Sequence, residues 1–281
     1  HPVAHLNAIS HISKVASAQV KSCILLAGLY AQGRTEVIEP ETSRDHTERM
    51  LNAFGVDVET GPGRAAIVGG QKLKGATIPV PADISSAAFF LLAAAIVPGS
   101  EVLLSDVGMN PTRTGVIDIL RAMGASIEIQ NPRTFGGEPV ADLRVRGQGL
   151  RGIEVDPAFV ASAIDEFPAI FVAAACAEGE TVVTGAEELR VKESDRIQTM
   201  VDGLVTLGID AVATPDGARI RGGQLKSGVI DSHGDHRVAM SFAMAALRAS
   251  GDIRILDVAN VNTSFPGFAG LAAQVGLRIR L

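Results

Sequence analysis

Four apolar, helix-like runs, each followed by glycine and then a strand-like run, constrain this chain more than any other feature. They are Gln19–Leu29 leading into Thr35–Ile38, Ser85–Val97 into Glu101–Leu104, Asp165–Ala177 into Thr181–Val183, and His236–Ala249 into Ile253–Leu256. A second, amphipathic helix follows each: about Thr47–Phe54, Thr114–Met123, Ser194–Leu207 and Phe268–Val275. Their closing glycines, Gly55, Gly124, Gly208 and Gly276, stand 69, 84 and 68 residues apart. Glycine just past a helix is the expected left-handed stop. Alternating strands begin at Val56 and Ser126, and a further strand usually follows, as at Asp142–Val145 and Ala218–Ile220. Such self-similarity marks one supersecondary unit written several times.

The first helix of each unit is apolar on nearly every side and is expected to be buried all round, whereas the second keeps a polar face for solvent. The chain therefore reads as α/β domains with helices packed inside walls of sheet. Two prolines in Ile78–Ala82 interrupt the pattern, which puts a boundary near residue 81. Residues 1–80 then hold about one unit and residues 81–281 about three. One unit is small to stand alone, so 1–80 is expected to be the remnant of a domain whose other units lie upstream. The Gly-Gly pairs at 136–137 and 222–223 read as turns.

Composition narrows the function. Aromatic residues are 4% of the chain, with no Trp and one Tyr, and the net charge is -6. Neither suits a nucleic-acid surface, which needs stacking rings and a basic face. Cys23 and Cys176 fall in Ala-rich apolar runs and read as small buried hydrophobes. Two cysteines give no disulfide framework, as expected of a cytoplasmic protein. The longest apolar stretch, Ala87–Val97, is too short to span a bilayer, and no signal peptide precedes it. The spacing His233-Gly-Asp-His236, without cysteine or an i, i+4 pair, gives no metal site. His1, His5 and His11 read as an incidental run. No Gly-rich phosphate loop or nucleophile elbow is present.

The chemistry gathers at helix starts. Leu189–Ile197 reads Leu-Arg-Val-Lys-Glu-Ser-Asp-Arg-Ile, with Ser194 or Asp195 as the N-cap of the helix that follows. Lys192, Glu193 and Arg196 thus crowd a first turn, where free N–H groups and the helix dipole attract anions. This is either an ordinary charged helix start or a site that grips a phosphorylated substrate and moves a proton. Ser17-Ala18-Gln19, Ser43-Arg44-Asp45-His46, Asp165-Glu166 and Gly234-Asp235-His236-Arg237 stand at corresponding places. Ser17, Ser43 and Asp165 are each also compatible with simple capping. If these starts converge, Arg44, Lys192, Arg196 and Arg237 make a local anion site in an acidic chain.

The motifs Ser-Ala-Gln-Val-Lys-Ser (17–22), Ser-Arg-Asp-His-Thr-Glu-Arg-Met-Leu (43–51), Asp-Ile-Ser-Ser-Ala (83–87), Asp-Glu-Phe-Pro (165–168), Leu-Arg-Val-Lys-Glu-Ser-Asp-Arg (189–196), Gly-Asp-His-Arg-Val-Ala-Met (234–240) and Thr-Ser-Phe-Pro-Gly-Phe (263–268) closely resemble the 5-enolpyruvylshikimate-3-phosphate synthase family. The resemblance implies inside-out α/β domains of repeated βαβαββ units around buried central helices. It implies that this chain corresponds to about the C-terminal two thirds of the enzyme, lacking an N-terminal segment. It implies two small-molecule substrates, phosphoenolpyruvate and shikimate 3-phosphate, and no metal or organic cofactor. Nucleic acid and membrane are not expected partners.

By matching position, Ser17, Ala18, Gln19, Ser43, Arg44, Asp165 and Lys192 would contact shikimate 3-phosphate. Gln19, Arg196 and Arg237 would hold phosphoenolpyruvate. Asp165 would take the proton of the 5-hydroxyl and Glu193 would protonate the enol methylene carbon. Thr263 stands where some relatives carry Lys. Two alternatives share parts of this pattern: the related UDP-N-acetylglucosamine enolpyruvyl transferases, which have the same unit architecture, and a non-catalytic binding remnant. The Lys-Glu-Ser-Asp-Arg and Gly-Asp-His-Arg wording favours shikimate.

Overall fold

The structure, a computed structural model, describes residues 5–280; His1 lies outside them. The chain divides into two compact units, His1–Pro81 with Arg133–Val140, and Ala82–Pro132 with Ala141–Leu281.

In the first unit the elements run β1 (Leu6–Asn7), β2 (Ser10–Ile12), α1 (Ala18–Gly28), β3 (Ala31–Gln32), β4 (Arg34–Ile38), α2 (His46–Ala53), β5 (Val58–Gly61) and β6 (Arg64–Val68). Strands pair in the order β2-β4-β6-β5, with β2 parallel to β4 and the other two pairs antiparallel. Leu25, Leu29, Leu51, Val56, Ala65 and Ile67 form a small separate core.

The second unit repeats this plan. Its elements run α3 (Ile84–Ile96), β7 (Glu101–Gly108), α4 (Gly115–Ala122), β8 (Ser126–Phe135), β9 (Glu138–Arg146), α5 (Val160–Ala163), α6 (Phe167–Ala175), β10 (Glu180–Val183), α7 (Arg196–Thr206), β11 (Asp210–Thr214), β12 (Gly217–Arg221), β13 (Gly228–Asp231), α8 (His236–Ala245), β14 (Ile253–Leu256), α9 (Ala259–Ser264) and α10 (Phe268–Gln274). Sheet orders β7-β9-β8 and β10-β12-β11 repeat β4-β6-β5. The strand that leads each unit is short. It is β2 or β13 in two units and shrinks to single parallel bridges at Ala82 and at Arg151 and Glu154 in the others. The βαβαββ plan expected from the family resemblance is therefore present, although its opening strand carries too few residues for a period to show.

Every residue of α6 is buried, and so is all of α3 except Ser86. These two helices and α8 pack on one another within a single core that spans the unit. The run 157–175 has the length and apolar character of a bilayer-crossing helix, longer than the Ala87–Val97 stretch singled out from sequence. It is nonetheless mostly buried inside the unit and broken into short helical pieces. Phe89 and Phe90 on α3 meet Phe265 and Phe268 edge-on or tilted, at 6.1 and 6.2 Å. The Thr-Ser-Phe-Pro-Gly-Phe motif thus closes the core.

Two expectations fail in the first unit. Helix α1 buries only Lys21, Leu25 and Gly28, and Val20 and Leu26 are 43% and 45% exposed. Within this unit α1 packs on β3, β4 and β6, with no sister central helix to cover its far side as α6 and α8 cover α3. Cys23 lies on that far side and is exposed, not buried. Cys176 is partly buried, and burial pushes its thiol up to about 12.

The Gly-Gly pairs divide by role. Gly136 and Gly137 take positive φ in the β8–β9 turn. Gly222 does not; it is needed for close approach, since a Cβ there would stand 1.7 Å from the Ala177 carbonyl oxygen. Gly69 and Gly147 are its counterparts, at 1.8 Å from Ala31 O and 1.9 Å from Val97 O. Each pins the last strand of a unit against the chain leaving its central helix. Gly147→Ala is expected to cost about 3 kcal/mol by overpacking, read as a lower urea midpoint, whereas the exposed Gly75→Ala changes it little.

Candidate functional site

Each unit brings part of the expected set together. In the first, Ser17 is extended and caps α1, its Oγ accepting the Val20 N–H at 3.4 Å. Its own N–H donates to Glu39 Oε1 at 2.8 Å, and Ser43 Oγ donates to Glu39 Oε2 at 2.7 Å. Ser43 is therefore not a helix cap; Asp45 precedes α2. One carboxylate ties the Ser17-Ala18-Gln19 helix start to the Ser43-Arg44 turn. Lys21, 3% exposed, lies behind it with Nζ 2.8 Å from Glu48 and 3.5 Å from Glu39. A buried ammonium persists only when paired in this way. A cavity of about 270 Å³ opens beside this cluster, lined by residues that include Lys21, Glu39, Asp45, Glu48 and Arg64. None of the residues nominated from sequence lines it.

In the second unit, three helix starts converge, those of α6, α7 and α8. Arg196, 1% exposed, is the first residue of α7 behind the cap Asp195, whose carboxylate accepts the Gln198 N–H. Its guanidinium donates from Nε to Asp235 Oδ2 at 2.8 Å and from Nη2 to Glu193 Oε2 at 2.5 Å. Its Nη1 stands 3.6 Å from Asp165 Oδ1. Arg237 Nη1 donates to the Asp165 carbonyl at 3.1 Å, and its Nη2 lies 3.9 Å from Asp165 Oδ2. Asp165 thus sits between two guanidinium groups, inside a 3₁₀ turn and not as the cap of α6. Glu193 is half exposed. Lys192 turns away from this group and pairs with Glu188 at 2.5 Å.

Asp235, fully buried, was seen in sequence only as part of a motif. It caps α8 by accepting the Arg237 and Val238 N–H groups, and it takes Arg196 and Ser194 as further donors. Burial pulls its carboxyl upward, but Arg196 and the two N–H groups outweigh that and hold it below the ordinary carboxylate range. Burial and the neighbouring Arg237 push the His236 imidazole down, so it is neutral near pH 7. Among the described residues no three His, Cys, Asp or Glu side chains form a metal-sized group, and His233 pairs loosely with Asp231.

Repeated βαβαββ units around buried helices, with acids and arginines at their starts, define an enolpyruvyl transferase-like α/β protein. The chain belongs to the EPSP synthase (3-phosphoshikimate 1-carboxyvinyltransferase) family, whose model matches residues 2–271. It is 64% identical over 276 residues to the 3-phosphoshikimate 1-carboxyvinyltransferase of Methylococcus capsulatus, covering 98% of this chain and 63% of that protein. The Xanthomonas euvesicatoria protein of the same name is 61% identical, with 96% and 62% covered. An Acinetobacter baumannii EPSP synthase structure superposes with a TM-score of 0.95 at 56% identity, covering 98% of this chain and 64% of that one. The chain thus spans somewhat under two thirds of the length of these relatives.

Asp235→Asn should leave Arg196 without its buried counter-charge and cost about 3–5 kcal/mol at pH 7. Because the folded carboxyl titrates below its ordinary value near 3.8, its contribution is present above that value and lost as pH falls through the lower, folded one. Urea midpoints of variant and parent are therefore expected to converge in acid.

Proposed function

We propose that this chain carries most of the residues for transferring the enolpyruvyl group of phosphoenolpyruvate to the 5-hydroxyl of shikimate 3-phosphate. The observation that carries this reading is Asp165 lying between Arg196 and Arg237, with Glu193 on the far side of Arg196. Asp165 accepts the hydroxyl proton, and the two guanidinium groups that flank it bind the anionic phosphoenolpyruvate. Glu193, nearer solvent and hydrogen-bonded to Arg196, donates a proton to the methylene carbon. The adjacent carbon becomes cationic and takes the hydroxyl oxygen. The tetrahedral adduct then regains its double bond by losing a methyl proton and expelling phosphate. Two carboxylates in different environments serve as acid and base, and fixed cations hold two anions that would otherwise repel.

The remaining set, Ser17, Ala18, Gln19, Ser43, Arg44 and Lys192, is assigned to shikimate 3-phosphate, with Gln19 also touching phosphoenolpyruvate. Since the Ser43 hydroxyl proton already goes to Glu39, the turn would offer phosphate its N–H groups and the Arg44 guanidinium. We assign residues 1–80 to an N-terminal-side domain and 81–281 to a C-terminal one. The first is completed by a segment that the longer relatives carry, and the exposed apolar side of α1 supports this. The free thiols of Cys23 and Cys176 suit the cytoplasm.

The 281-residue chain alone is expected to release little phosphate from the two substrates, and mixing it with the missing segment to restore turnover. Robust phosphate release by the isolated chain contradicts the proposal. In the mixture, Asp165→Asn is expected to slow kcat by about 10²–10⁴, measured by phosphate release.

A further inference from the structure

Beneath the Asp165–Arg237 pair lies a carboxylate that no step of the transfer uses. Glu166 is 2% exposed and opens α6 without capping it. Its Oε1 accepts a short hydrogen bond from Ser85 at the start of α3. The same oxygen stands 3.7 Å from Arg237 Nη1 and 4.0 Å from Arg113 Nη2. Arg113 in turn donates to Ser85 Oγ at 2.6 Å and pairs with Asp83. The second oxygen, Oε2, is buried without a partner among the described residues. Burial pushes this carboxyl upward, while Ser85, Arg237 and Arg113 pull the other way and neighbouring Asp165 adds to the rise. A carboxylate placed so expensively, against two arginines from two other elements, is poorly explained as filler.

The arrangement has a counterpart. Asp235, at the start of α8, backs Arg196 from below through Nε. Glu166, at the start of α6, faces Arg237 at Nη1, 3.7 Å away, as an ion pair and not a hydrogen bond. On the Arg237 side, Nη1 is taken by the Asp165 carbonyl and faces Glu166, whereas Nε and Nη2 donate no hydrogen bond among the described residues. They are the edge of the fork left for an incoming anion.

We propose that Glu166 is a positioning residue for Arg237: from beneath the helix starts it fixes Nη1 against the Asp165 carbonyl, so that Nε and Nη2 are presented to phosphoenolpyruvate. The second half rests on the functional reading above. The first half is tested on the 281-residue chain by side-chain ¹⁵N NMR, with the Arg237 Nη1 signal identified by its loss in Arg237→Lys. Glu166→Ala is expected to speed solvent exchange of the Nη1 protons at least tenfold, and Glu166→Gln to restore slow exchange, because its amide oxygen accepts the same contacts. Unchanged exchange in Glu166→Ala overturns the proposal. Should that variant not fold, Glu166→Asp, a carboxylate one carbon shorter, is read in its place.

The second half is tested in the mixture with the missing segment. Glu166→Ala is expected to raise KM for phosphoenolpyruvate at least tenfold with kcat within threefold, and Glu166→Gln to recover most of it. A KM raised by Arg237→Ala but untouched by Glu166→Ala overturns the role proposed for Glu166. Loosened exchange with KM untouched by either variant leaves the positioning intact and removes Arg237 from the substrate site.

Discussion

The second unit is built around holding one guanidinium in its interior. Arg196 stands at 1% exposure, where an unpaired charge would cost several kcal/mol. Three acids from three helix starts meet it instead: Glu193 before α7, Asp235 at α8 and Asp165 before α6. The arginine could not be buried without such partners. The position of Asp165 beside Arg237 follows from that requirement, so the proposed acid–base pair is set by the same contacts that let the unit fold.

This arrangement depends on the central helices below it. Buried almost throughout, α3 and α6 touch one another and α8 through apolar or small side chains, and Ala, Val, Leu, Ile and Phe fill the core. Their polar ends then emerge together on one side of the core. N-terminal acids collect there because the helix starts meet, and the dipole field of each start adds to the local attraction for anions.

Most of the architecture was legible because the central helices break the usual amphipathic pattern: an apolar run such as Ile84–Ile96 has no solvent face to offer. Their ends, and the closing glycines of the second helices, followed from turn chemistry. What stayed hidden depends on tertiary pairing. The leading strands at Ala82 and Glu154 are single bridges, with no period to detect. Glu39 sits in a run that gave no hint of burial, Lys21 sits in an apolar run that gave no hint of its partners, and only the fold sets the ammonium between two carboxylates. Glu166 was visible as a neighbour of Asp165, but a sequence does not say which of two adjacent acids faces inward. The misreading of α1 and Cys23 has one cause: composition predicts how much surface a helix would bury, not whether a sister helix is present to cover it. The family wording supplied the roles proposed for Gln19 and Lys192, which local physics alone would have left as part of helix starts.

The edge-on packing of Phe265 and Phe268 against Phe89 and Phe90 joins residues made at nearly opposite ends of the second unit. Each such ring pair adds about 0.5–1.5 kcal/mol beyond the area it covers. On a ribosome the rings of α3 emerge long before Phe265 and Phe268 are synthesised, so this face of α3 stays uncovered after α6 and α8 are already made. Contacts of such long sequence separation slow folding, so the aromatic latch is among the last parts of the unit to close.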